Sequence, residues 1–125
     1  MDSLSISFDS TTRLKEKLAD IPAQQFQSPL VQLFSDQTQE DVAHYYALIK
    51  ASFPSAEVIG CSASDAILSG EIVTGSTHAV FTQFTNAQLR SAVVKLHSNH
   101  HQVSQELHQA LSPKDDTKAF ICFGD

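Results

Sequence analysis

Twice within its first sixty residues the chain passes from a short β-type apolar run into a helical stripe and back, and this alternation constrains the fold most strongly. Leu4, Ile6 and Phe8 alternate with serines, the period-two pattern of a half-buried strand. The polar cluster Asp9-Ser10-Thr11-Thr12 offers helix caps, Leu14, Leu18 and Ile21 follow at helical spacing, and Pro22 closes that helix. Leu30 to Phe34 is a strand expected to be covered on both faces. Thr38 then caps a helix with Val42, Tyr45, Tyr46, Ile49 and Phe53 along one stripe, ended by Pro54. Val58-Ile59-Gly60-Cys61 predicts a third short strand, and a looser stretch through Ile67, Gly70 and Ile72 leads to Gly75.

Beyond Gly75 the pattern changes. Residues 77–84 and 88–96 are two β-rich runs joined by Thr85-Asn86-Ala87, a spacing that predicts an antiparallel hairpin turning at Asn86. Asn99 and Gln102 open a helix carrying Val103, Leu107 and Leu111, and Pro113 ends it. Ala119 to Phe123 predicts a last buried strand. The expected fold is therefore α/β with a mixed sheet: β-α-β-α-β, then an antiparallel hairpin, then α-β, with helices packed on the sheet. The 125 residues suit one domain, and the apolar strand at the end predicts a fragment of a longer protein.

Several function classes drop out on composition. The net charge is -6 and the eight Lys and Arg residues are scattered, so no basic stripe exists to neutralise nucleic-acid phosphates. The N-terminus lacks the basic start and apolar stretch of a signal peptide, and no apolar run is long enough to span a bilayer. A cytoplasmic location follows as the expectation, with Cys61 and Cys122 as reduced, buried thiols. The phosphate-cradling Lys loop, the Gly-x-Gly-x-x-Gly turn and the Gly-x-Ser-x-Gly elbow are all absent. Cys61 beside Ser62 at a strand end could be a nucleophile in a Cys-dependent small-molecule enzyme, but a small buried thiol explains it better, so the chain is read as a non-enzyme.

Ligands of open α/β sheets bind beyond the C-terminal ends of the parallel strands. Here three apolar runs end in Ser35-Asp36, Gly60-Cys61-Ser62 and Gly124-Asp125, with Ser64 and Asp65 in the loop after the second. Gly60 permits close backbone approach, the serines offer hydroxyls, and Asp36, Asp65 and Asp125 offer carboxylates for an amino group. These nine positions suit a small polar molecule such as an amino acid, and equally suit ordinary turn and cap roles.

The ordered set of segments resembles the N-terminal domain of the FIST family. Leu30-Val31-Gln32-Leu33-Phe34-Ser35, an amphipathic helix, and then Phe53-Pro54-Ser55-Ala56-Glu57-Val58-Ile59-Gly60-Cys61-Ser62 match its apolar strand ending in Gly-Cys-Ser or Gly-Cys-Thr after a proline turn. Gly70-Glu71 stands as a displaced match to a Gly-Glu pair. Ala79 to Phe81, Val103 to Leu111 and Phe120 to Asp125 are similar to its later strand, helix and strand, so the likeness runs from Leu30 onward.

The resemblance implies a bacterial intracellular signal-transduction sensory domain that binds small ligands, amino acids among them. It also implies partners or output modules of the histidine kinase, chemotaxis transducer or cyclic-di-GMP type, and a companion C-terminal segment. Some members are haem proteins that respond to nitric oxide. His97, His100, His101 and His108 cluster on or near the last predicted helix, away from its apolar stripe, while His44 and His78 stand apart. Exposed histidines lack the apolar pocket a haem requires, so no cofactor is expected, with haem as the family's alternative.

Overall fold

The period-two pattern at the N-terminus forms β1 (Asp2–Phe8), with Ile6 and Phe8 buried and the serines on the opposite side. A computed structural model describes residues 1–124, apart from the side chain of Leu68; the expected site residue Asp125 lies outside the described residues. Two compact units are present: residues 1–87 with Phe123 and Gly124, and residues 88–122.

In the first unit, Ser10 caps α1 (Thr11–Ala19) by accepting from the Arg13 amide, and Leu14 and Leu18 form its buried face. β2 (Leu30–Ser35) leads into α2 (Gln39–Ser52), where the Thr38 hydroxyl accepts from the Asp41 amide. Glu40 and Asp41 in the first turn and Lys50 in the last complement the helix dipole. β3 (Glu57–Ser62) follows, then β4 (Asp65–Leu68), β5 (Glu71–Thr74) and β6 (Thr77–Gln83).

The main sheet has the order β1-β6-β2-β3. β2 and β3 pair in parallel, while β6 pairs antiparallel with both β1 and β2. β1, β2 and β3 therefore run the same way, with β6 inserted against them. Their registers place Ile6, Phe8, Val31, Leu33, Ala79 and Phe81 on one face. That face packs against Leu14, Leu18 and Ile21 from the first helical segment and Tyr45, Ile49 and Phe53 from the second, in a single core cluster. Phe8 meets the Tyr45 ring edge-on at 5.0 Å, and Phe53 and Phe26 close on Phe81 at 5.4 and 6.5 Å. Both helices thus cover one side of a mixed sheet.

The expected α/β class with a mixed sheet is the observed one, but the antiparallel hairpin sits elsewhere. β4 and β5 form it, through the stretch read as loose, with Ser69 and Gly70 at positive φ in a two-residue turn. Residues 88–96 form no strand. The reason is topological: β1 and β2 already occupy both edges of β6, so no ladder remains for a following run. Asn86 does adopt the left-handed conformation expected of a turn, at φ 58°. Residues 119–123 form no strand either, and Phe120 and Ile121 are exposed. Phe123 instead sets its ring edge-on against Phe34, at 5.6 Å, on the sheet face opposite the helices.

In the second unit, α3 (His100–Leu111) starts where the Asn99 side chain accepts from the Gln102 amide. It ends at Ser112 in the left-handed region. Val103, Leu107 and Leu111 are half-buried, and no residue of the helix is fully buried. His101 and His108 are exposed, and His97 lies 3.9 Å from Glu106. Among the described residues, no helix is long and apolar enough to cross a membrane.

Candidate functional site

The co-directional strands bring their C-terminal ends to one rim. Ser35 and Ser62 are direct partners in the β2–β3 ladder, and Phe8 is the partner of Thr77 in the β1–β6 ladder. Ser35 is buried, its hydroxyl sharing a 2.7 Å hydrogen bond with that of Thr77 and accepting another from the Gln37 amide at 3.1 Å. These bonds hold the turn from β2 into α2 against the start of β6.

Beside this rim, on the helix side of the sheet, lies a hollow of about 410 Å³ between α2 and β3. Its walls are mainly apolar: Leu33 from β2, Val42 and Tyr46 from α2, Val58 and Ile59 from β3. Ser35, Gln37, Gln39 and Ser62 contribute the polar part, with Gly60 and Cys61 along the strand. Of the nine expected site residues, Ser35, Gly60, Cys61 and Ser62 line this hollow. Asp36, Ser64, Asp65 and Gly124 are exposed and lie off its wall, Asp36 accepting a 2.8 Å bond from the Gln37 side chain.

Gly60 has a steric reason to be glycine. A Cβ there would run into the Leu33 carbonyl oxygen and come within 2.9 Å of the Leu33 carbonyl carbon. The two backbones are therefore packed too closely for any side chain at this step of the ladder.

β3 is the edge strand of the sheet, which changes how its residues read. The expected burial of the thiols does not hold: both Cys61 and Cys122 are exposed and free. Cys61 shares the face of its ladder partner Phe34, away from the helices, and among the described residues its strand has no outer neighbour in the sheet. Tyr45 and Tyr46 also separate. Tyr45 is core, whereas Tyr46 is 47% exposed at the mouth of the hollow. Burial raises the Tyr45 phenol above its ordinary range, and the carboxylates of Asp41, Asp9 and Asp36 push in the same direction.

A feature the sequence reading missed is His78. It is buried on the face opposite the helices, sharing hydrogen bonds with Ser7 at Nδ1 (2.8 Å) and Ser76 at Nε2 (3.2 Å). Alternation with Thr77 and Ala79 puts His78 on the other face of β6, and only the β1–β6 register reveals Ser7 as its neighbour. With both ring nitrogens engaged, His78 is a structural link between strands. No described histidine lines the hollow, so the histidines do not fit a haem there. Among the described residues, no group of three or more His, Cys, Asp or Glu side chains could hold a metal ion.

Comparison with known proteins gives a match to the family model described as FIST N domain, over residues 29–125. That span takes in β2, α2, β3 and every lining residue of the hollow. No curated protein and no solved structure matches the chain.

Proposed function

The chain belongs to the FIST N-domain family, and from that premise we propose that it is a sensory domain that binds a small organic ligand in the hollow between α2 and β3. The observation that carries this reading is the hollow itself, which lies within the span that the family model matches. The family match covers the segment from β2 to β3, and that segment walls a concave, largely apolar space with a few polar groups at one end. Such composition is typical of small-molecule sites, and the hollow adjoins the rim where the co-directional strands end.

The ligand is of amino-acid size, and the domain does not turn it over. Cys61 is exposed on an open strand, and no histidine lines the hollow to act as its base. The domain acts in the cytoplasm, where occupancy of the hollow alters how α2 and β3 are held together. A downstream or neighbouring module of kinase, chemotaxis or cyclic-di-GMP type reads that change.

The test is a thermal-shift screen of the full chain against amino acids and their neutral derivatives. A ligand at a hundred times its dissociation constant stabilises by about 2.7 kcal/mol. For a chain of this length that amounts to roughly 10 °C in Tm. The shift is expected to vanish in Tyr46→Glu, which puts a charge at the mouth without touching the core. Shifts that persist in Tyr46→Glu, or a hollow that no compound protects, would remove the proposed site.

A further inference from the structure

Among the described residues, no charged side chain lines the hollow. Its polar groups are hydroxyls and amides from Ser35, Ser62, Gln37 and Gln39. The carboxylates that adjoin lining residues in sequence, Asp36, Glu40, Asp41 and Glu57, are not among its walls, and Gln37 engages Asp36 while Thr38 engages Asp41. An ion seated against these walls would give up part of its water with no countercharge on the wall, which disfavours it relative to a neutral molecule of the same shape.

The backbone of β3 supplies what the side chains do not. Glu57 donates to the Pro29 carbonyl and Ala63 to the Ser35 carbonyl. In a parallel ladder, alternate residues face the same neighbour. The odd-numbered residues of β3 are therefore spoken for by β2, and Val58, Gly60 and Ser62 turn their N–H and C=O groups to the open edge. The side chains of Val58 and Ser62 meanwhile point to the helix side, into the hollow. Five consecutive residues, 58–62, line it, so the space wraps from the sheet face around to that edge.

Resting on the reading of the hollow as a ligand site, the geometry points to its ligand class: a neutral, amide-bearing molecule with an apolar group. The apolar group fills the space between Val42, Tyr46 and Val58. The amide pairs its C=O and N–H with the outward N–H and C=O of Gly60, as a strand residue would. Gly60 is the middle one of the three outward-facing residues, between Val58 and Ser62. A free amino acid, with an ammonium and a carboxylate on the same carbon, is disfavoured.

The experiment titrates the full chain with three probes sharing one side chain: N-acetyl-L-leucine amide, N-acetyl-L-leucine and L-leucine. Calorimetry reads affinity, and each titration is repeated on Tyr46→Glu, which sits at an exposed position and preserves the fold. The neutral amide is expected to bind at least about tenfold tighter than either charged probe, a gap of about 1.4 kcal/mol, and to lose that binding in Tyr46→Glu. L-Leucine binding as tightly as the amide, and weakened by Tyr46→Glu, would overturn the neutral class while leaving the ligand site intact. Binding of any probe unaffected by Tyr46→Glu would overturn the site itself. A capped hexapeptide of alternating Val and Ala binding more than a hundredfold tighter than the amide would transfer the edge to a strand from another protein and overturn the small-molecule assignment.

Discussion

Replacing Gly60 by alanine tests the geometry of the site at its tightest point. Strand interiors ordinarily gain from this change, by about 0.5–1 kcal/mol, because alanine loses less backbone freedom on folding. Here the added methyl would overlap the Leu33 carbonyl oxygen, with the carbonyl carbon at 2.9 Å and the Leu33 Cβ at 3.1 Å. The obstacle is mainly backbone in the sheet interior, so no rotamer change relieves it. β3 must move outward, and overpacking of this kind costs about 1–3 kcal/mol. Stretching two ladder bonds between β2 and β3 adds about 0.5–1.5 kcal/mol each. Set against the alanine gain, the net loss is about 3 kcal/mol, or roughly 12 °C in Tm for a chain of this length. Thermal and urea melts followed by circular dichroism measure it, with Gly124→Ala as control, since nothing lies within 4 Å of a Cβ there. A Gly60→Ala protein as stable as wild type, or more so, would refute the close approach of β2 and β3 and the reason given for glycine in the site.

Three further outcomes are expected. Ser35→Ala strands the buried Thr77 hydroxyl without its 2.7 Å partner. It should cost about 1–3 kcal/mol, and Ser35→Ala with Thr77→Val should cost less than the two single changes summed, which a double-mutant cycle by urea melts would show. Tyr45→Ser empties a core position packed edge-on to Phe8, for about 3–5 kcal/mol. Tyr46→Ser, one position on, should stay within about 0.5–1 kcal/mol in the same assay. The raised phenol of Tyr45 binds its proton more tightly in the folded than in the unfolded chain. Its contribution is complete below the ordinary tyrosine range near pH 10 and is lost as pH rises through the folded value. Alkaline melts should therefore show falling stability above about pH 10, and Tyr45→Phe should flatten that fall.

How much of this was legible in the sequence depends on what each signal reports. Local patterns were reliable. The Leu4-Ile6-Phe8 alternation, the Ser10 and Thr38 caps and the Asn99 cap all appear where the residues indicated. Periodicity says nothing of who pairs with whom, and there the expectations failed. The run at 77–84 looked like the first arm of a hairpin, yet β6 crosses back to lie between β1 and β2. Only the ladder registers could have shown Ser7 beside His78, because 71 residues separate them in the chain. For the site, the polar ends of two co-directional strands did mark a common rim, with Ser35 beside Ser62. The carboxylates did not join them, because Asp36 and Asp65 are drawn to water and to local partners. Val42, Tyr46 and Val58 were legible as core-type residues but not as a wall, since a helical stripe does not announce which of its members lack a neighbour.

The edge position of β3 connects these observations. Its sequence, Glu-Val-Ile-Gly-Cys-Ser, has the apolar content of a strand meant to be covered, and it carries none of the lysines, prolines or bulges that protect exposed edges. Yet one edge lies open, and its residues are half- to fully exposed. An edge of this kind is prone to pair with another backbone. Because α2 on one side and β3 on the other bound the same hollow, whatever occupies it must touch both at once. In the proposed sensory role, the binding energy of such an occupant would depend on how the two elements are held relative to one another, which is the physical requirement for converting occupancy into a conformational signal.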